Sequence, residues 1–445
     1  MKKRFTILAI LSAFFSVFPF LRARNRTMTT LLWLPKLLSG AFSLWLALVG
    51  IISVLYGWMR RDHGLVLTGG VGAVLSLLYI RRVTRTHKGF EKAFGQDWQK
   101  KIPSVQYTRL QRLRWPILSI PVLPTPRQQD VVYGNSPSTG LPLLADLWLP
   151  RKQTGSSGLG IIYIHGGAWR LGSKDMGTAP FFLRLASLGH VVMDIEYTLF
   201  PHCSMIDMVH EVKLAIAWLK ANAGALAINP DRIILMGGSA GAHLALLTGY
   251  TPDNPLLRPA GITGDLSVRG VVAFYPPVDF RNLPGDFDSL LDRSKPGVIG
   301  KAIQDTVIHF MNDALRVATT LRGNHNQPRR SRLEASLFTD PAAFLKTLIG
   351  GSVEDIPARY NLLSPAAHVE SCCPPTLLLQ GTDDFFQLLP GVQRLYKSLQ
   401  AAGVPSILVE FPYCEHAFDL ILPQISPAAQ AATFDVERFL ALMAN

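Results

Sequence analysis

The run Arg232-Ile-Ile-Leu-Met-Gly-Gly-Ser-Ala-Gly-Ala-His-Leu-Ala245 decides how this chain is read. Arg232–Met236 is a short apolar strand candidate, and the residues from Ala240 onward favour a helix. Between them, Gly237-Gly238-Ser239-Ala240-Gly241 has the pattern G-x-S-x-G. A serine on a sharp strand-to-helix turn takes strained backbone angles and exposes its hydroxyl, and small neighbours let the turn form without clashes. The helix N-terminus behind Ser239 also favours developing negative charge. Ser239 is therefore the candidate nucleophile.

Around this turn the chain alternates short apolar runs with amphipathic stretches. Candidate strands are Leu143–Leu149, Gly160–Ile164, Val191–Ile195, Arg232–Met236, Val271–Phe274, Thr376–Leu379 and Ile407–Phe411. Candidate helices are Pro180–Leu188, Met205–Asn222, Ala240–Gly249, Leu388–Ala402 and Ala428–Met443. Such alternation implies a mainly parallel sheet with helices on both faces, and ligands on such sheets bind at the carboxyl ends of the strands. Residues 281–350 break the rhythm. Their apolar residues over Ile303–Leu321 recur at helical spacing, so an ordered cap over the strand ends is expected rather than a disordered insertion.

The other chemistry-bearing residues fall at strand ends. Ile161-Ile-Tyr-Ile-His-Gly-Gly-Ala-Trp169 closes a strand on a glycine turn whose backbone N–H groups can face an oxyanion. Gly166 and Gly167 would supply two donors and Ala240 a third. His165 reads as a brace for this loop, and Trp169 as pocket wall or core. A serine nucleophile needs a base, and the base an orienting acid. Leu378-Leu-Gln-Gly-Thr-Asp-Asp384 places acids after one strand, and Pro412-Tyr-Cys-Glu-His-Ala-Phe418 places a histidine after the next. His416 is the candidate base. Asp384, four residues on from Gln380, is the preferred acid, with Asp383 its rival. His243 reads as structural, and Cys414 as a poor alternative nucleophile because it would leave Ser239 unexplained. No HExxH, P-loop or strand-borne GxGxxG occurs, so no metal or cofactor is expected. The four cysteines show no CxxC spacing.

Composition excludes a largely disordered chain: 48% of the 445 residues are hydrophobic and 17% charged. The net charge of +13 is unevenly placed. Residues 1–128 carry 20 Lys and Arg against 3 Asp and Glu, whereas residues 129–445 carry 24 against 28. The basic residues flank three charge-free apolar runs, Phe5–Leu21, Ser39–Trp58 and Gly64–Ile80. That pattern suits membrane-flanking charge, not a nucleic-acid surface. About 20 apolar residues span a hydrocarbon core. Residues 1–80 are thus expected to hold two or three transmembrane helices, against the alternatives of a signal peptide for the first run and buried helices for all three. Gly69, Gly70 and Gly72 would allow close helix packing, and the second and third runs would form a hairpin. Residues 81–128 read as a basic juxtamembrane segment, either lying at the interface or a solvated linker, leaving 129–445 as the catalytic unit. The expected location is a membrane, multi-pass, with the face of the catalytic unit left open.

The motifs His165-Gly-Gly-Ala-Trp169, Gly237–Gly241, Gly381-Thr-Asp-Asp384 and Glu415-His-Ala-Phe418, in this order, resemble the α/β-hydrolase superfamily over residues 130–445. More narrowly they resemble its esterases and lipases with an HGG-type oxyanion loop, the hormone-sensitive-lipase-like and BD-FAE-type carboxylesterases. The resemblance implies an α/β-hydrolase fold and hydrolysis of carboxylic esters through an acyl-enzyme. It implies Ser239, Asp384 and His416 as the triad, and Gly166, Gly167 and Ala240 as the oxyanion hole. The loop reads His-Gly-Gly-Ala where His-Gly-Gly-Gly is frequent, and the insertion at 281–350 is longer than usual. The expected substrate is a small-molecule or lipid-like acyl ester. Arylformamide or amide hydrolysis, acyl transfer and a non-catalytic interaction module are the competing functions, since a fold does not choose its chemistry.

Overall fold

The computed structural model describes residues 2–22, 26–117, 122–283 and 342–445. Four N-terminal helices come first: α1 (Lys2–Val17), α2 (Arg26–Ala41), α3 (Ser43–Met59) and α4 (His63–Val83). Two short helices, α5 (Gly89–Phe94) and α6 (Ser104–Arg109), lead to the sheet. Its strands are β1 (Arg127–Asn135), β2 (Pro142–Trp148), β3 (Gly158–Ile164), β4 (Val191–Ile195), β5 (Ile228–Gly238), β6 (Gly270–Phe274), β7 (Thr376–Gly381) and β8 (Ser406–Phe411). Helices α7 (Ala179–Ser187), α8 (Met205–Ala221) and α9 (Ala240–Tyr250) connect them, with Leu389–Ala401 and Pro427–Met443 later in the chain.

The eight strands lie in the order β1-β2-β4-β3-β5-β6-β7-β8. β1 and β2 pair antiparallel, as do β2 and β4, and every pair from β4 onward is parallel. The parallel strands are buried on both faces, which is why they read as continuous apolar runs. Alternate residues feed two cores. Ile162 and Ile164 of β3 join the core shared with α8 and α9, while Ile161 and Tyr163 join the one shared with α7 and the final helix. β1 escaped the sequence reading because Arg-Gln-Gln-Asp-Val-Val-Tyr-Gly-Asn is an edge strand with little apolar alternation. Of the cap expected within 281–350, residues 284–341, including its helix over 303–321, lie outside the described residues, while Ala342–Ile349 forms a helix.

The basic segment after α4 is folded onto this sheet. Phe90, Trp98, Ile102 and Leu110 are buried in the same core as Phe439 and Leu440 of the final helix. Arg114 pairs with Asp435 at 2.5 Å, and Arg184 pairs with Glu437 at 2.6 Å. The backbone N–H of Gln111 also donates to Glu437.

The apolar helices depart from the sequence reading in one respect. Ser39–Trp58 is not one straight segment: the chain turns by 69° between α2 and α3. The cause is that α2 is held against the sheet domain by Trp33 and Lys36, whereas α3 packs on α4. A Cβ on Gly69 would lie 2.7 Å from the Gly50 carbonyl of α3, so these helices touch backbone to backbone. Gly72 faces Ser12 and Ala13 of α1, while a Cβ on Gly70 would meet nothing nearer than Val54 at 4.0 Å. Segments Lys3–Phe20 and His63–Val83 are each long and apolar enough to cross a membrane, and the bent pair α2–α3 adds a third if it acts as one span. Gly69→Ala is expected to destabilise the detergent-solubilised protein by about 1–3 kcal/mol. Gly70→Ala should be neutral, or stabilising by up to about 1 kcal/mol. Thermal unfolding of the two variants side by side checks this.

Candidate active site

β5 ends at Gly238 and α9 starts at Ala240, so Ser239 is the single residue of the turn. Its backbone sits at φ 55°, ψ −120°, a sparsely populated conformation for a non-glycine residue. Glycines permit this turn. A Cβ on Gly237 would stand 2.6 Å from the Ile164 carbonyl, and one on Gly241 would collide with that same carbonyl and with His165 O. Helix α9 therefore begins pressed against the end of β3. The Ser239 N–H donates to Phe274 O at 2.9 Å, and its carbonyl accepts the first helical bond, from His243 N.

The loop after β3 packs beside this turn. A Cβ on Gly166 would lie 2.9 Å from Gly238 O and 3.4 Å from the Ser239 Cβ. Gly167, Ala168 and Trp169 all have positive φ, and a Cβ on Gly167 would strike the Leu171 backbone. His165 closes the loop from behind: its Nδ1 lies 2.7 Å from Gly166 O, and its ring stacks on Tyr197 at 4.4 Å. Tyr197 in turn donates to His165 O at 3.1 Å. Ala240, the third expected donor, is fully buried at the start of α9. Trp169 is core: it is buried, edge-on to His243 at 5.3 Å and to Phe280 at 5.6 Å. His243 is also internal, bonded through Nε2 to Leu363 O, and burial lowers its pKa to about 4.

Two loops at the ends of β7 and β8 bring together Asp384 and His416, the expected acid and base. His416 Nδ1 lies 3.0 Å from Asp384 Oδ2. Asp384 is held from both sides, by Gln380 Nε2 at 2.8 Å and by the Phe386 N–H at 2.9 Å. Gln380 on β7 thus aims the carboxylate four residues ahead of it. Asp383 turns away to Thr382 and to Lys36 of α2. The loops are tied together by Asp383 N donating to Cys414 O and by Tyr413 N donating to Thr382 Oγ1. The His416 ring is walled by Tyr275 at 4.3 Å, Phe386 at 4.8 Å and Phe385 at 5.7 Å. Tyr275 also connects it to the serine turn, because a Cβ on Gly238 would meet the Tyr275 hydroxyl at 3.1 Å. Burial pushes the Cys414 thiol up to about 12, so it is no thiolate near neutrality. Among the described residues no group of three or more His, Cys, Asp or Glu is placed to hold a metal ion.

The sequence reading missed Tyr275, Phe385 and Phe386, which carry no motif, and the two α2 residues Trp33 and Lys36. Lys36 did leave a signal, since a lone cation amid apolar helix residues needs a partner.

Known proteins resemble the chain as follows. The BD-FAE family model matches residues 145–314, less than half of the chain. The esterase LipQ of Mycobacterium tuberculosis is 27% identical over 346 residues, covering 75% of this chain and 69% of that protein. The probable carboxylic ester hydrolase LipM of the same organism is 28% identical over 282 residues, covering 63% of this chain and 53% of LipM. The chain thus spans about seven tenths of the first relative and about half of the second. Among solved structures, apo Thermogutta terrifontis esterase 2 aligns at 20% identity and a TM-score of 0.48, over 72% of this chain and 95% of that one. These similarities support a carboxylic ester hydrolase of the α/β-hydrolase esterase and lipase kind.

Glu415, next to His416, has one oxygen 3.0 Å from Lys36 Nζ and the other buried without a partner. Burial raises its pKa to about 7, against the opposing pull of Lys36. Because the folded pKa lies above the unfolded carboxyl value, between about pH 4.5 and 7 the native state holds a proton that the unfolded chain has lost, and above that range the carboxylate faces Lys36 charged. The stability from this group is full below about 4.5 and declines as pH rises through about 7. In Glu415→Gln the thermal midpoint should therefore fall less between pH 5 and pH 8 than in the wild type. Calorimetry at stepped pH reads the difference.

Proposed function

We propose that the chain is a membrane-anchored serine hydrolase that cleaves carboxylic esters through an acyl-enzyme. The contact carrying this reading is His416 Nδ1 to Asp384 Oδ2 at 3.0 Å, joined through Tyr275 to the strained Ser239 turn. Asp384 fixes the ring with Nδ1 as donor, which leaves Nε2 to act as base. His416 takes the Ser239 proton as the oxygen attacks the ester carbonyl. The tetrahedral oxyanion is met by the backbone N–H groups of Gly166, Gly167 and Ala240. His416 then protonates the leaving alcohol, and a water activated by the same ring releases the acid from Ser239.

Anchoring rests on surface character. Ile7, Ile10 and Phe14 of α1, Ile52, Leu55 and Trp58 of α3, and Leu67, Val74 and Leu77 of α4 are all exposed. A monomer in water rarely shows so large an apolar belt, whereas a bilayer matches it. The substrate class proposed with this is a lipid-like or membrane-partitioned acyl ester.

The test is labelling of the detergent-solubilised full chain with a fluorophosphonate probe, beside turnover of a p-nitrophenyl acyl series. Labelling should vanish in Ser239→Ala and His416→Ala, and kcat should fall by about 10⁴-fold or more in each. Asp384→Asn should lose about as much while Asp383→Asn keeps labelling. Labelling that persists in Ser239→Ala would show another nucleophile. Faster turnover of an arylformamide than of any ester would change the bond assigned.

A further inference from the structure

Helix α2 lies outside the sheet domain in sequence, yet it grips both loops that carry the acid and the base. Lys36 Nζ is 2.7 Å from Asp383 Oδ2 and 3.0 Å from Glu415 Oε1, and the lysine side chain is only 3% exposed. Asp383 directly precedes Asp384, and Glu415 directly precedes His416. One turn earlier on the same helix face, Trp33 donates its indole N–H to the His416 carbonyl at 3.3 Å. The Trp33 ring also packs on Phe385 at 6.0 Å, and Phe385 borders the His416 ring. Phe20, just before α2, packs on Tyr413 at 4.7 Å.

We infer that Lys36 and Trp33 are positioning residues for the His416–Asp384 pair, which makes the N-terminal helical segment a working part of the active site as well as an anchor. This rests on the triad reading above. A buried cation with two carboxylate partners on different loops fixes the spacing between those loops, since moving either one strands a charge in a medium that does not solvate it. Trp33 fixes the third coordinate, holding the His416 backbone against α2. Small displacements at a reacting centre are costly: a shift of about 1 Å lowers the rate by about 100-fold.

The test uses the full chain in detergent, with folding checked by near-ultraviolet circular dichroism. Lys36→Met and Trp33→Phe should lower kcat on a p-nitrophenyl ester by about 10- to 100-fold, with KM within about twofold, and slow fluorophosphonate labelling to match. Lys36→Arg should recover part of the loss. Lys36→Met leaves two acids without their cation and is the variant at risk of misfolding. The triple variant Lys36→Met, Asp383→Asn, Glu415→Gln removes the ion cluster without leaving a buried charge, and it should fold with the same kcat deficit. Folded Trp33→Phe and triple variants that turn over and label at the wild-type rate overturn the inference, while labelling is still lost in His416→Ala. Labelling that survives in His416→Ala overturns the triad reading instead, and the positioning role with it.

Discussion

The approach of helix α9 to the end of strand β3 is the constraint on which the site depends. The Ile164 carbonyl sits where a side chain on Gly237 or Gly241 would otherwise be. Backbone against backbone at this depth fixes three things together. It forces Ser239 into its strained conformation, seats Gly166 beside the serine, and sets the angle at which α9 leaves the sheet. Strain of this sort persists only where surrounding structure over-determines it. Here the paired strands β3, β5 and β6, buried on both faces, supply that rigidity.

From that fixed point the rest of the site is assembled by neighbouring loops that brace one another. His165 and Tyr197 hold the glycine loop, Gln380 holds Asp384, and Thr382 and Cys414 tie the acid loop to the base loop. The helices at the N-terminus add a further set of contacts from a different direction, through polar atoms on α2 and through the Tyr79 hydroxyl on α4, which meets the Cys414 sulfur at 3.5 Å.

Much of the fold was legible because its strands are apolar runs with glycine or acid punctuation at their ends. The strands and helices read around Ser239 are those of the structure, within a residue or a few at the ends. The Gln380-to-Asp384 spacing singled out the acid that meets His416, since the glutamine amide reaches the carboxylate directly. What stayed hidden was long-range. β1 is an edge strand whose pairing with β2 depends on partners rather than on its own pattern. The break at Phe42 is imposed by Lys36 and Trp33 meeting loops some 350 to 380 residues away, which no local window contains. The basic segment of 81–128 looked loose because its charges dominate its composition, yet four large apolar residues and the contacts of Arg114 and His87 with buried Asp435 dock it.

That docking changes what the junction between the helices and the catalytic unit is. Phe90, Trp98, Ile102 and Leu110 share the core into which the last helix packs, and Asp435 and Glu437 of that helix are buried and paired with Arg114 and Arg184. The segment therefore acts as a clasp and not a tether. A single cut of the peptide chain near Leu123 would leave the two pieces held together by those contacts. A shortened gene starting at residue 129 would instead leave Asp435 without Arg114 and take from Glu437 the Gln111 N–H, while Arg184 would still pair with Glu437. The sheet domain is thus not a self-contained unit joined to helices by a tether; its own last helix is finished by residues that lie before its first strand.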